Sequence, residues 1–137
     1  MGRVARASLA AVGVRMRVRI QGIDERRLAR ERHGAQFVVF IYDGGDARDA
    51  SWAVDSRLIT DADLSQVLRW LGENVPTGCC WSLGLVRDPV EPTAESDVDV
   101  SWIVGADVLN TDPAARSAVE QRTAEEMLAR RHRVALP

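Results

Sequence analysis

The stretch TDADLSQVLRWLGENVPTGCCWSLGLV, residues 60–86, decides the fold. Thr60 and Asp61 offer side-chain oxygens for a helix N-terminus, and Asp63 stands three residues after Thr60 as a short-armed capping-box partner. Leu64, Val67, Leu68, Leu71 and Val75 recur at i, i+3, i+4, i+7 and i+11. At about 100° per residue they fall on one stripe, which must face a core. Burying the four from Leu64 to Leu71 contributes at most roughly 6 to 12 kcal/mol, at about 1.5 to 3 each. Gly72, Asn74 and Pro76 then stop the helix. Beyond them Cys79, Trp81, Leu83 and Leu85 alternate with Cys80, Ser82, Gly84 and Val86, the period of a strand. The unit is therefore a helix running into a strand, and it carries no reaction centre.

Upstream, residues 37–42 (FVVFIY) form a continuous β-branched and aromatic run, which predicts a central strand covered on both faces. The turn Asp43-Gly44-Gly45-Asp46 follows, and then Trp52, Val54 and Leu58 alternate with Asp55 and Arg57, so residues 37–59 read as a hairpin. Asp43, Asp46 and Asp49 at its tip offer oxygen ligands, but their spacing is not that of an EF-hand loop and no metal site is expected. Further upstream, Val14, Met16, Val18 and Ile20 alternate with Arg15, Arg17 and Arg19, which predicts a first strand with one guanidinium-lined face.

Downstream, residues 87–97 carry Pro89 and Pro92 with the acids Asp88, Glu91, Glu95 and Asp97, and read as a long acidic loop. Val98, Val100, Trp102 and Val104 alternate with Asp99 and Ser101 as a fifth strand, antiparallel to the fourth. Asp112 before Pro113 marks the start of a second helix, whose large apolar residues Val119, Met127 and Leu128 share no single stripe. That helix either packs through small residues or completes its burial against another chain.

The order β, β, β, α, β, β, α predicts an α+β fold: a two-layer sandwich of a mostly antiparallel five-stranded sheet with two helices on one face. At 137 residues the chain fits one domain. We expect a flexible N-terminal extension over 1–13 and a single α+β domain over 14–137, with Met16 a second candidate start. All 18 basic residues are Arg, the codon signature of a GC-rich bacterial genome. Charge is segregated: residues 1–33 hold nine Arg against three acids, and residues 34–110 hold four Arg against 13 acids. Arg3 and Arg6 before the short apolar run 9–14 imitate a signal peptide, but Gly13 and three further Arg interrupt it, and no apolar stretch is long enough for a membrane span. Cys79 and Cys80 are adjacent, point to opposite faces of a strand and make a poor disulfide pair, which fits a reducing, cytoplasmic location.

Catalytic chemistry is sparse. His33 and His132 both sit in Arg-rich segments, the cysteines lie between apolar neighbours, and no phosphate-cradling, dinucleotide, nucleophile-elbow or zinc-protease motif is present. No cofactor is expected. Among the tryptophans, Trp52, Trp81 and Trp102 fall on apolar strand faces and are expected in the core. Trp70 lies about 60° off the helix stripe, where an interface anchor would sit. The leading expectation is a non-enzymatic protein-binding module, such as an adaptor, regulator or immunity-type protein. Its partner is another protein or a second copy of itself, and its candidate binding residues are Trp70, Arg15, Arg17, Arg19, Glu91, Glu95 and Asp97. The alternatives are a small-molecule-binding protein or small carboxylate-dependent enzyme and, further off, a nucleic-acid accessory protein using the Arg-lined strand.

Overall fold

The computed structural model describes residues 18–28, 34–44, 51–91 and 97–131. It divides into two compact units, Met1–Arg32 and His33–Pro137. The described part of the first unit is exposed and holds one turn of 3₁₀ helix, Glu25–Arg27. Asp24 caps that turn: its carboxylate accepts from the Arg26 backbone N–H at 3.0 Å and from Arg26 Nη2 at 2.6 Å. The Arg26 contacts hold the Asp24 carboxyl below the usual range.

The second unit contains strands β1 (Ala35–Gly44) and β2 (Trp52–Ala62), helix α1 (Leu64–Asn74), strands β3 (Cys80–Val86) and β4 (Val100–Val104), and helix α2 (Ala118–Ala129). The strands form one sheet in the order β2-β1-β3-β4, with every neighbouring pair antiparallel. β2 and β3 therefore run in the same direction on either side of β1, and α1 is the crossover between them. The expected hairpin is present as β1 and β2, and the expected central strand is β1, where Phe37, Val38, Val39, Ile41 and Tyr42 are buried.

Two expectations about the architecture are corrected. Among the described residues the sheet has four strands, not five. Residues 18–20, the described part of the expected first strand, have no regular structure, and the alternation there has no core to face because Val18 and Ile20 are exposed. Nor do the helices share a face. Phe37, Val39 and Ile41 of β1 pack with Val67 and Leu71 of α1, whereas Tyr42 and Phe40 pack with Ala124 and Met127 of α2. Successive side chains on a strand point to opposite sides, so α1 covers one face and α2 the other. A strand apolar on both faces leaves no other solution.

The helix ends also differ from expectation. A bulge between the pairs Phe37↔Ile59 and Ala35↔Ala62 carries β2 through Thr60 and Asp61, the latter at φ 55. Aspartate tolerates that left-handed backbone better than most residues. The helix consequently starts later, capped by Asp63, whose carboxylate accepts from Gln66 N at 2.8 Å while Gln66 Oε1 accepts from Asp63 N at 2.9 Å. Val67 and Leu71 are buried, but Leu64 is 41% exposed. At the second helix, Asp112 and Pro113 start only a 3₁₀ turn, Pro113–Ala115. Arg116 then adopts extended geometry and its guanidinium turns back to the carbonyls of Val108 and Leu109, each at 3.2 Å. Ser117 caps α2 in a reciprocal box with Glu120, whose carboxyl the Ser117 hydrogen bonds hold below its usual range.

Two amide side chains stand in for strand neighbours. Gln36 Oε1 accepts from Val90 N at 2.8 Å while its Nε2 donates to Val90 O, which ties the segment after β3 to β1. Asn110 Oδ1 accepts from Trp52 N at 2.9 Å and its Nδ2 donates to Trp52 O at 3.0 Å.

Candidate functional site

The α2-side face of the sheet is covered unevenly. At one end α2 lies over Tyr42, Cys80 and Ser82. At the other, the Gln36 pairing brings Val90 to the sheet, where Val38 and Val86 are buried. Between them lies a belt built from Phe40 of β1 and Trp102 of β4, and here Trp102 remains 37% exposed. The expectation that Trp102 belongs to the core is corrected accordingly, whereas Trp81 is buried as expected and Trp52 is partly buried.

Local geometry seats the Trp102 ring. Gly84 pairs with Trp102 across β3 and β4, and a Cβ at Gly84 would collide with Val100 Cγ1 and approach Trp102 Cε3 to 3.2 Å. The missing side chain is what lets the indole lie over β3, an aromatic covering a strand glycine. The register slips between Leu83↔Val104 and Gly84↔Trp102, a bulge that leaves Ile103 as the unmatched residue, itself exposed. Phe40 meets Trp102 edge to face with centroids 5.5 Å apart, and meets Tyr42 at 6.3 Å. The three rings thus run from the open belt to the part of the face under α2.

Tyr42 anchors the buried end of this row. Its hydroxyl lies 3.2 Å from Ser82 Oγ, 3.0 Å from Asp107 Oδ1 and 3.4 Å from the Ala106 carbonyl. Burial pushes its ionisation well above the usual tyrosine range. Ser82 is fully buried with its hydroxyl engaged, so the group satisfies polar atoms and ties the β4–α2 connection to the sheet. On the α1 side, an open cleft of about 320 Å³ is lined by Asp43, Asp55, Asn74 and Cys79 over Ile41 and Pro76. Asp55 is held by Arg57 at 3.1 Å, and burial followed by the Asp43 charge raises the Cys79 thiol above its ordinary value.

Of the candidate residues read from sequence, Trp70, Glu91, Asp97 and Arg19 are among those described. Trp70 is partly buried and packs against the α1-side core, and its carbonyl accepts from Asn74 Nδ2 at 2.8 Å. Glu91 and Asp97 are exposed, and so is Arg19 in the first unit. Arg15, Arg17 and Glu95 lie outside the described residues, as do His33, His132, Asp46, Asp49 and the extension over 1–13. The sequence does not single out Phe40, which lies on the central strand opposite Ser56 and Ser82, and it places Trp102 in the core; the signal that marks Trp102 is an aromatic on an edge strand opposite a glycine. Among the described residues no group of three or more His, Cys, Asp or Glu is placed to hold a metal ion. No helix among them is long and apolar enough to cross a membrane. Comparison with protein-family models, with curated proteins and with solved structures finds no match.

Proposed function

We propose that this chain is a non-enzymatic protein-binding module that docks its partner on the α2-side face of the sheet, centred on Trp102 and Phe40. The observation that carries the reading is the half-open aromatic pair, a tryptophan held edge-on to a buried-side phenylalanine and seated over a glycine. Tryptophan gives large contact area at low entropy cost and is enriched among the residues that dominate binding energy. The partner is another protein or a second copy of this chain. Benzoylphenylalanine in place of Trp102, compared with the same probe in place of Arg69 on the exposed side of α1, tests it in the native host. A discrete protein adduct at position 102 and none at 69 is expected; no adduct at 102, or the same adducts at both, overturns the reading. An adduct of twice the chain mass identifies a second copy.

The runner-up, a small-ligand role, is favoured by the cleft on the α1 side. Its carboxylates and amide over an apolar floor suit a small organic cation. A ligand screen in which Asp43→Asn abolishes binding and Trp102→Ala does not would move the function to that side.

A further inference from the structure

We propose that α2 is a hinged cover: it lifts from the sheet while the rest of the unit stays folded, and so regulates how much of the docking face a partner can reach. This inference rests on the docking reading for what the opening serves, and on the structure of α2 for the opening itself.

α2 has a thin apolar hold. Its fully buried residues are Ala124 and Met127, while Val119 and Leu128 are exposed. α1, by contrast, buries Val67 and Leu71 with Leu68, Trp70 and Val75 packed beside them. A helix of 12 residues is marginal without tertiary packing, so α2 owes its helicity to this narrow stripe and to its ends. The ends are pinned by arginines. Arg116 bonds to the carbonyls of Val108 and Leu109 and, through Nη1, to Gln121 Oε1 at 3.2 Å. Arg131 donates to the carbonyls of Gly78 at 2.6 Å and Gly44 at 2.7 Å, and its guanidinium carbon stands 4.9 Å from the centroid of the Trp52 ring. Releasing the Arg131 pin leaves, at this end of the helix, Met127, Ala124 and the Arg130 guanidinium, whose carbon stands 5.8 Å from the centroid of the Trp81 ring.

The surface beneath continues the docking belt. Tyr42 and Cys80 lie under α2, and Tyr42 adjoins Phe40, which adjoins Trp102. The Tyr42 hydroxyl is hydrogen-bonded to the Ser82 hydroxyl, to the Ala106 carbonyl and to Asp107 Oδ1, all preceding the helix, so these bonds survive its departure. An opened α2 therefore lengthens the aromatic row without dissolving the sheet, the kind of low-stability element from which binding motions are drawn.

The chain carries its own reporter. Cys79 and Cys80 are neighbours, 3% and 0% exposed, yet Cys79 packs in the α1-side core and Cys80 in the α2-side core. Global unfolding exposes both, whereas lifting α2 exposes Cys80 alone. The full chain without a partner is labelled with iodoacetamide across low urea concentrations. Fragment mass spectrometry resolves the two cysteines, and each rate is normalised to that of the same cysteine in the unfolded chain. Cys80 is expected to show a flatter urea dependence than Cys79, which lines the open α1-side cleft and whose access the lifting of α2 does not change. Arg131→Ala is expected to speed Cys80 further, beyond any change at Cys79. Amide exchange supplies a measurement that needs no substitution: residues 122–129 are expected to exchange faster than 68–74. Equal urea dependence of the two cysteines, or equal protection of the two helices, overturns the inference. Because no partner is present, failure here leaves the docking face standing, and failure of the cross-link at Trp102 leaves the hinge standing.

Discussion

The Tyr42 hydroxyl reaches Asp107 Oδ1 at 3.0 Å and Ser82 Oγ at 3.2 Å, so one phenol joins β1, β3 and the segment that leaves β4. Tyr42→Phe leaves the buried Ser82 hydroxyl without this partner and is expected to cost about 1 to 3 kcal/mol. Adding Ser82→Ala removes the stranded group, so the double variant should lose clearly less than the sum of the two single losses. Additive losses in urea denaturation would show that the two side chains are not coupled.

Gly84→Ala tests the seat of Trp102. The added methyl has to displace Val100 or the indole, so we expect destabilisation of about 1 to 3 kcal/mol together with altered Trp102 fluorescence, read against a Trp102→Phe background. An unchanged denaturation midpoint and spectrum would mean that β4 shifts freely on β3.

Leu71 of α1 is fully buried, and Arg69 on the same helix is exposed. Leu71→Ala should cost about 2 to 5 kcal/mol and Arg69→Ala about 0.5 or less. Similar midpoints for the two would refute the helix orientation.

Burial pushes the Cys80 thiol from 9.0 up to about 11, against the opposing pull of Arg131 and Arg130. A raised folded-state value means that the folded protein holds the proton more tightly than the unfolded chain. The contribution is therefore complete below about pH 9 and is lost as pH rises through about 11. Urea midpoints measured from pH 8 to pH 11 should fall across that window, and fall less in Cys80→Ala. Identical pH profiles for the two proteins would exclude Cys80 as a contributor.

What sequence made legible was whatever depends on local period. The stripe through Val67 and Leu71, the continuous run of β1 and the opposite orientation of the two cysteines all follow from repeats of 3.6 or 2 residues. What it hid depends on register between strands. Nothing local places Trp102 over Gly84, because that contact is set by the β3–β4 bulge. The start of α1 is hidden for a similar reason: Thr60 and Asp61 have the chemistry of a cap, but the β1 pairing continues to Ala62 and takes both into the strand. Asp112 and Pro113 likewise signal a helix that the backward reach of Arg116 cuts to one turn. The docking face was hardest to see, since it is defined by what α2 and the Val90 segment leave uncovered.

The Asn110 pairing bears on how molecules of this protein meet one another. In a strand the N–H and C=O of one residue point to the same side, and those of Trp52 point away from β1 to meet Asn110. An incoming strand that tried to extend the sheet at β2 would find its first ladder rung already occupied by a side-chain amide. Edge-to-edge stacking of chains, the first step toward aggregation of β-rich proteins, is thereby hindered at the Trp52 end of β2. Asn110→Ala should therefore show itself in turbidity on prolonged incubation at high concentration, more than in the stability of the isolated fold.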